Sequence, residues 1–169
     1  GVLPVLGWLR GDGGQGHGLS LSATVVGVAR RQFGHVAAAG RLTLHEGDMV
    51  DLALLEESLD AAISVNTMYF VANPKRAIDE ICRVLRPRGR VVIGVGDPVA
   101  MAAMPFAAHG FTLRPIDDLK LLLRTPGFYE PQHQRVGGEM RAFPLLLPHR
   151  AMRGSADRPH GCRRCQGTT

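Results

Sequence analysis

Aromatic residues, cysteines and long apolar runs are all scarce in this sequence. Aromatic side chains make up 5% of the 169 residues and hydrophobic ones 45%, so an aliphatic core is expected. No apolar run approaches the roughly 20 residues of a membrane-spanning helix, and no basic, apolar signal segment opens the chain. Three cysteines, an odd number, argue against a disulfide framework and indicate a reducing compartment. We therefore expect a cytoplasmic protein without a membrane partner.

Positive charge is concentrated at the end of the chain. The whole sequence carries +5, but residues 148–169 hold five arginines against Asp157 and account for +4 of it. Residues 1–147 are therefore nearly neutral, which excludes a broad phosphate-binding face and predicts no nucleic-acid partner. We expect one domain over residues 1–147 and a basic, disordered tail over residues 148–169. Cys162 and Cys165 in that tail lack a second ligand pair, so no metal site is predicted.

A strand, helix and strand unit organises the middle of the chain. Leu59 to Val65 is a short apolar run with the length and β-branched content of a buried strand. Asn73 is predicted to cap a helix that runs from Pro74 to about Leu85. Arg90 to Val95 follows as a second buried strand. Such a unit is right-handed and lies in a parallel sheet with helices on its faces.

The predicted helix has one apolar side and one charged side. Its apolar residues recur at three- and four-residue steps and are Ala77, Ile78, Ile81, Cys82 and Leu85. On the other side, four-residue spacing predicts ion pairs of Arg76 with Glu80 and of Asp79 with Arg83. We expect the apolar side to pack on the sheet and the ion pairs to face solvent.

The end of this helix carries a family resemblance. From Arg83 to Ile93 the chain reads Arg-Val-Leu-Arg-Pro-Arg-Gly-Arg-Val-Val-Ile. Together with Leu59 to Val65 and the polar pair Asn66-Thr67, this phrase resembles the second half of a class I S-adenosylmethionine-dependent methyltransferase. Arg88 stands where that family usually has glycine, so a non-glycine residue near positive φ is expected.

The resemblance covers roughly residues 40–147. It implies an α/β fold with a Rossmann-like, mostly parallel sheet, helices on both faces and an antiparallel C-terminal hairpin. It also implies S-adenosylmethionine as the cofactor and a small-molecule acceptor as the substrate. No single invariant catalytic residue lies in the matching phrase, so no catalytic residue is assigned.

Eight residues near the start, Gly11 to Gly18, are rich in glycine. Read from Asp12, they fit the D-x-G-x-G-x-G cofactor loop of the resembled family; read from Gly11, they also fit the G-x-G-x-x-G dinucleotide fingerprint. Glycine lets a backbone approach a ligand and adopt turns with positive φ. As a methyltransferase loop, the octet makes Gly14 and Gly16 cofactor-binding residues. As a dinucleotide fingerprint, it predicts a nicotinamide cofactor. A third possibility is a flexible terminal segment that binds no ligand.

Residues 19–33 are too few for the elements that the resemblance implies there. Those are a helix, a second strand ending in an acid that binds the ribose hydroxyls, and another helix, whereas one parallel crossover already needs about a dozen residues. Either Thr24 to Val28 is the second strand and Ala29 replaces the acid, or Ser22 to Phe33 is a helix and Ser20 replaces it. Both alternatives lose the carboxylate. Residues 1–39 are therefore predicted to be a shortened cofactor half that leaves apolar sheet surface uncovered and favours a homodimer.

Two polar strand ends complete the predicted cofactor site. Arg41 to Glu46 alternates apolar and polar residues and is predicted as the third strand, with Asp48 and Met49 after it. The resemblance implies that Asp48 accepts a hydrogen bond from the adenine amino group and that the Met49 backbone lies beside the ring. Alternatively, Asp48 caps a turn or a short helix from Leu52 to Glu57. The pair Asn66-Thr67 follows the next strand, at the edge where ligands of parallel sheets collect.

The C-terminal part supplies a pocket and a hairpin. Sulfur-containing and aromatic residues after the last strand of the central unit predict a lid, an acceptor pocket or core; they are Met101, Met104, Phe106 and Phe111, with His109 as a weak candidate base. A helix is expected over Ile116 to Arg124. Phe128 to Val136 and Glu139 to Leu147, joined by Gly137-Gly138, predict a hairpin, and Pro144 is typical of an edge strand.

The sequence thus favours S-adenosylmethionine-dependent methyl transfer to a small molecule, with impaired cofactor binding. The alternative is a non-catalytic remnant that serves as a binding or partner-dependent subunit. The missing ribose carboxylate favours the remnant, whereas Asp48 and Asn66 favour the enzyme. A nicotinamide oxidoreductase is a third hypothesis that depends on the glycine octet alone.

Overall fold

The computed structural model describes residues 5–6, 14–102, 111–124, 127–136 and 143–150. Predictions for Gly11 to Gly13, Met104, Phe106, His109, the Gly137-Gly138 turn and the tail after Arg150 lie outside these residues. The described part contains seven strands and five helices, in the order β1 (Val5–Leu6), β2 (Gly16–Ser20), α1 (Ala23–Gln32), α2 (Gly34–Ala38), β3 (Leu42–Glu46), β4 (Leu59–Val65), α3 (Pro74–Val84), β5 (Leu85–Gly94), α4 (Pro98–Ala102), α5 (Ile116–Arg124), β6 (Phe128–Val136) and β7 (Phe143–Arg150).

The strands form two sheets. One has the order β1-β2-β3 and the other the order β4-β5-β7-β6, and β1 lies against β4. Pairing is parallel between β2 and β3 and between β4 and β5, and antiparallel at β1–β2, β5–β7 and β6–β7. The predicted α/β fold with parallel strands, helices and an antiparallel C-terminal hairpin is confirmed. None of the helices in the described ranges is long and apolar enough to cross a membrane.

The central unit forms as its sequence predicts. The side chain of Asn73 accepts a hydrogen bond from the Arg76 N–H at 3.1 Å, and Pro74 occupies the first turn of α3. The strands β4 and β5 are parallel, and Ile78 and Ile81 are each 1% exposed. This burial follows from the three- and four-residue spacing of the apolar side chains of α3.

Strand β5 begins earlier than predicted, at Leu85 instead of Arg90. Leu59 pairs with Leu85, Ala61 then pairs with Arg90, and the register shift lies between them. The intervening residues bulge out, and Arg88 adopts φ 66°, so the expected non-glycine residue at positive φ is confirmed. Pro87 is accommodated because the bulge leaves this part of the strand out of regular pairing.

The ion pairs predicted on α3 are wrong. Lys75 pairs with Asp79 at 2.7 Å across four residues. Arg83 pairs at 2.8 Å with Glu80, three residues before it, and not with the predicted Asp79. The reason is tertiary: the polar residues of α3 do not all face solvent, because part of the chain after β3 lies across them. That arrangement is described with the candidate site.

The N-terminal half follows the second of the two alternatives. Residues 23–32 form the helix α1, and the Ser22 hydroxyl caps it by accepting a bond from the Val25 N–H at 3.3 Å. The alternative strand over Thr24 to Val28 is therefore wrong. The strand β2 ends at Ser20, which pairs with Glu46. The strand β2 itself therefore ends in serine and not in an acidic residue.

Two glycines of the octet lie in strand β2 itself. Gly16 and Gly18 pair with Leu42 and Leu44 of β3. A Cβ at position 18 would lie 2.8 Å from Leu44 Cδ2, so this glycine permits close packing within the sheet. The later part of the octet is therefore strand, and its glycines serve packing at least at Gly18.

The helices α3 and α5 contact each other and the four-stranded sheet. The buried strand residues share the face under these helices and are Ala62, Ser64, Val91, Ile93 and Leu146. Their neighbours on the opposite face, Ile63, Val92 and Leu147, are only half-buried. The fold thus has one well-covered sheet face and one partly open apolar face.

The hairpin strand β7 runs to Arg150, beyond the predicted end at Leu147. It lies between β5 and β6, so the expectation that Pro144 marks an edge strand is wrong. The last described partner of β7 on β5 is Gly94, opposite Leu145. Pro144 lies one residue past it, where a missing N–H interrupts no bond to β5.

Candidate cofactor and acceptor site

Most of the predicted site residues lie just after the carboxyl ends of parallel strands. The Gly47 N–H donates to the Ser20 carbonyl at 3.0 Å, which joins the ends of β2 and β3, and Asp48 and Met49 follow directly. In the other sheet the Asn66 N–H donates to the Gly94 carbonyl at 2.9 Å and joins the ends of β4 and β5. Ligands of parallel sheets bind at such ends because the chain leaves the strands there through loops.

Gly14 and Gly16 lie elsewhere. Gly16 opens β2 and its N–H donates to the Arg41 carbonyl at 2.8 Å, whereas Ser20 closes the strand. The two glycines are therefore at the amino end of β2, the end opposite to Ser20 and Asp48. Their role in cofactor binding stays a prediction, and the structure does not bring them together with Asp48.

Asp48 closes a turn and remains exposed. Its Oδ1 accepts a bond from the Val50 N–H at 3.1 Å. The side chain of the next residue, Met49, is 4% exposed and anchors the segment in the core. The predicted short helix from Leu52 to Glu57 is wrong, since these residues form turns and bends. The turn interpretation of Asp48 is observed, and it leaves the carboxylate in contact with solvent.

Asn66 and Thr67 form a compact turn with Tyr69. Asn66 adopts φ 54°, in the left-handed region that asparagine tolerates better than most non-glycine residues. Its Oδ1 accepts a bond from the Tyr69 hydroxyl at 3.2 Å, and that hydroxyl in turn accepts one from the Gly96 N–H. Burial raises the pKa of Tyr69, and the bond from Gly96 opposes this rise.

Three aromatic rings gather beside this turn. The centroids of Phe70 and Phe111 are 4.7 Å apart, and Tyr69 lies 5.6 Å from Phe111. Phe70 is 53% exposed, which is unusual for so large an apolar side chain within a cluster. The sequence predicts that Phe111 lines a lid, an acceptor pocket or the core, and the structure adds Tyr69 and Phe70 to the same cluster.

A cavity of about 90 Å³ lies under the ends of β2 and β3. A histidine pair that the sequence did not reveal forms one wall: His17 Nδ1 and His45 Nε2 are 3.1 Å apart. Burial, with a smaller contribution from His45, lowers the pKa of His17. Pockets for ligands of drug size have volumes of roughly 300–1,000 Å³. This cavity is therefore smaller than pockets that hold ligands of that size.

The donor set fits S-adenosylmethionine in part. Asp48 offers an exposed carboxylate for the adenine amino group, and the adjacent backbone is free of helix or strand pairing. The hydroxyl of Ser20 accepts a bond from the Ser22 N–H at 3.2 Å, and this side chain supplies no charge for the ribose hydroxyls. The adenine end therefore fits and the ribose end does not.

The segment after Asp48 is held by charged residues of α3. Arg83 donates to the Leu52 and Leu54 carbonyls, each at 2.9 Å, and Glu80 accepts from the Leu52 N–H at 3.0 Å. Arg76 Nε donates to the Val50 carbonyl at 3.0 Å. We call Arg76, Glu80 and Arg83 the α3 clamp. Sequence reasoning missed it because the same spacing also suits solvent-exposed ion pairs.

The clamp predicts a pH dependence of stability. Burial alone would raise the pKa of Glu80, but the hydrogen bonds from Arg83 and the Leu52 N–H, with the charges of Arg83 and Arg76, lower it overall. The unfolded chain binds the proton more readily, so the stabilisation is present above the ordinary pKa of about 4.3 and is lost as pH falls through the folded value. Urea unfolding at a series of pH values should show a steeper acid loss for the native chain than for Glu80→Gln. Parallel curves would contradict the coupling.

The fold and the family match together identify a class I methyltransferase domain. The chain belongs to the methyltransferase domain family, whose match covers residues 3–93, more than half of the sequence. The predicted family is confirmed, and with it S-adenosylmethionine as the cofactor of the class.

Known proteins of this class are similar to the chain over part of their length. An O-methyltransferase of Penicillium expansum, cnsE, is 32% identical over 117 residues, which are 66% of this chain and 42% of that protein. The chain thus spans less than half of that relative. Geranyl diphosphate methyltransferase in complex with S-adenosylmethionine has a TM-score of 0.69 at 14% identity, covering 82% of this chain and 70% of the other.

Another solved structure with a similar fold is a complex of two proteins. It is a complex of the Haloferax volcanii Trm112 methyltransferase activator with a methyltransferase, with a TM-score of 0.72 at 18% identity. The match covers 83% of this chain and 73% of the other. At such identities the two structural likenesses show the fold alone.

Proposed function

We propose that the chain carries out S-adenosylmethionine-dependent methyl transfer to a small-molecule acceptor, with a weakened cofactor site. The observation that carries this proposal is Asp48, exposed at the carboxyl end of β3 in a chain of the methyltransferase family. The cofactor supplies an activated methyl group on a sulfonium. Asp48 would hold the adenine amino group and the Met49 backbone would lie beside the ring. Asn66 and Thr67 would line the neighbouring strand end.

The acceptor would bind where the aromatic rings gather. Tyr69 connects the ends of β4 and β5 through Asn66 and Gly96, and Phe70 exposes more than half of its side chain beside it. An apolar, partly open surface at the strand ends can align an acceptor and exclude water, and alignment is the main requirement of a methyl displacement. The O-methyltransferase relative supports a hydroxyl group as the acceptor.

Asp48→Ala should weaken S-adenosylmethionine binding by about 1–3 kcal/mol, because it removes a charge-assisted hydrogen bond. Isothermal titration calorimetry measures the change. Asp79→Ala is the matched control, since Asp79 is a carboxylate paired with Lys75 on the surface of α3. An affinity that Asp48→Ala leaves unchanged would remove Asp48 from the site.

We further propose that cofactor binding is impaired at the ribose end of the site. Ser20 replaces the ribose carboxylate, and losing bonds to two hydroxyls should cost about a hundredfold or more in affinity. The second candidate function is a non-catalytic or partner-dependent subunit, which the uncharged ribose end favours; the activator-bound neighbour is consistent with it. Calorimetry with S-adenosylmethionine decides between the two candidates, because a non-catalytic remnant would not bind it. A separate titration with NAD tests the oxidoreductase hypothesis that the glycine octet raised.

We also propose that the chain is a cytoplasmic homodimer. The half-buried face of Ile63, Val92 and Leu147 supports self-association, because apolar patches beyond a few hundred Å² are rarely left exposed. Light scattering on the purified chain tests it. A monodisperse monomer that binds S-adenosylmethionine with micromolar affinity would contradict both the dimer and the impairment.

A further inference from the structure

We infer that the α3 clamp positions the adenine-binding segment, so that Arg83 and Glu80 act on the cofactor through the backbone of residues 50–54. The inference rests on the proposed function, since it takes Asp48 to be the adenine contact. Arg83 and Glu80 are positioning residues, because they bond the backbone of Leu52 and Leu54 in the segment after Asp48.

The clamp satisfies backbone groups in a segment without regular secondary structure. Residues 47–58 contain no helix or strand, yet Leu52 uses both of its backbone groups, its N–H toward Glu80 and its carbonyl toward Arg83. The Leu52 carbonyl also accepts a bond from the Leu54 N–H at 2.7 Å, so the chain turns here. Side chains of α3 therefore supply bonds that a regular helix or strand would otherwise supply.

The donors and acceptors of the clamp are themselves fixed. Arg83 Nε and one terminal nitrogen bond both carboxylate oxygens of Glu80, at 3.0 and 2.8 Å. Each terminal nitrogen of Arg83 also donates to one of the two carbonyls, which uses the planar fork of the guanidinium. The side chains of Glu80 and Arg83 are 19% and 34% exposed, so water competes only partly for these bonds.

The clamp is connected to Asp48 through a short chain of bonds. Arg76 holds the Val50 carbonyl, and the Val50 N–H is the group that bonds Asp48 Oδ1. A shift of Val50 therefore moves the carboxylate that is proposed to receive the adenine amino group. Buried Met49, between them, fixes the other side of the turn. Misplacement by about 1 Å at such a contact is enough to weaken a site severely.

The experiment compares two arginines that differ in what they hold. Arg83→Gln removes the fork, whereas Arg86→Gln removes an arginine that bonds the Glu57 carbonyl at 3.1 Å and Asp60 at 2.8 Å, outside residues 50–54. Calorimetry with S-adenosylmethionine and thermal unfolding are measured on both variants. Arg83→Gln should weaken binding about 10-fold and Arg86→Gln less than about twofold. Arg83→Lys, which keeps the charge but not the fork, should recover only part of the loss.

A double-mutant cycle with Asp48 separates positioning from a general loss of stability. If Arg83 acts through Asp48, Arg83→Gln should weaken binding by less than about twofold once Asp48→Ala is present, and the effects will not add. Additive effects, or equal losses for Arg83→Gln and Arg86→Gln, overturn the inference and leave the proposed function standing. An Asp48→Ala variant with native affinity overturns the proposed function instead. If neither the native chain nor Ser20→Asp gives a heat of binding, the inference and the proposed function are both overturned.

Discussion

Ile81→Ala is expected to lower the free energy of unfolding by roughly 2–5 kcal/mol, the largest stability effect that we predict for a single side chain. Ile81 is 1% exposed and belongs to the core that joins α3 to the four-stranded sheet. Truncation removes three methyl or methylene groups that are buried in the core. It also leaves a cavity that the surrounding β4-α3-β5 unit can fill only in part.

Urea unfolding followed by circular dichroism measures this change. Leu121→Ala in α5 is the matched control: it also truncates an aliphatic residue in a helix, but Leu121 is 65% exposed and should change stability by no more than about 0.5 kcal/mol. Equal costs for the two variants would mean that α3 does not pack on the sheet as described. The denaturant slope should stay constant, since the fold itself is unchanged.

Ser20→Asp is expected to strengthen S-adenosylmethionine binding about a hundredfold, or roughly 2.7 kcal/mol. Ser20 closes β2 and is bonded to Gly47, one residue before Asp48, so a carboxylate there stands at the predicted ribose position. Such a group can accept bonds from two hydroxyls, and charged acceptors form the stronger hydrogen bonds. The variant restores by one substitution the group that the family resemblance expects.

Ser22→Asp is the control for charge alone. Ser22 caps α1, and aspartate caps a helix as well as serine does, so this variant adds the same charge two residues away without removing the cap. Calorimetry should show a large gain for Ser20→Asp and little for Ser22→Asp. Equal gains would attribute the effect to net charge, and no gain from Ser20→Asp would place the ribose elsewhere.

The central unit could be predicted because its signals are local. The cap at Asn73, the proline after it and the helical spacing of Ile78 and Ile81 all lie within one helix, and all were confirmed. The positive φ at Arg88 could be predicted from the glycine that the family usually has there. In each case the residues that decide the structure are neighbours in the chain.

The N-terminal half was only partly predictable, because its signals conflict. Thr24 to Val28 has the β-branched content of a strand, yet it lies in α1, where Ser22 provides the cap and Val26 and Ala29 provide the buried side. The glycine octet suggested a ligand loop, but Gly18 is needed where β2 packs beside Leu44. Tertiary packing overrode local preference at both places.

In the candidate site, too, features set by local sequence could be predicted and tertiary contacts could not. The strand end at Asp48 could be placed in advance from the alternation of apolar and polar residues before it, and the strand end at Asn66 from the apolar run before it. The α3 clamp could not, because its partners are backbone groups about 30 positions away, and backbone groups carry no sequence signal. An arginine that holds a loop and an arginine that faces solvent look the same in a sequence.

The order β4-β5-β7-β6 has a consequence for synthesis on the ribosome. The strand β5 is complete at Gly94, but its second neighbour, β7, is not made until residue 150. Throughout that interval β5 presents an open edge of N–H and carbonyl groups, and such edges recruit other chains. During synthesis the nascent polypeptide is therefore expected to aggregate more readily until β7 emerges and pairs with β5.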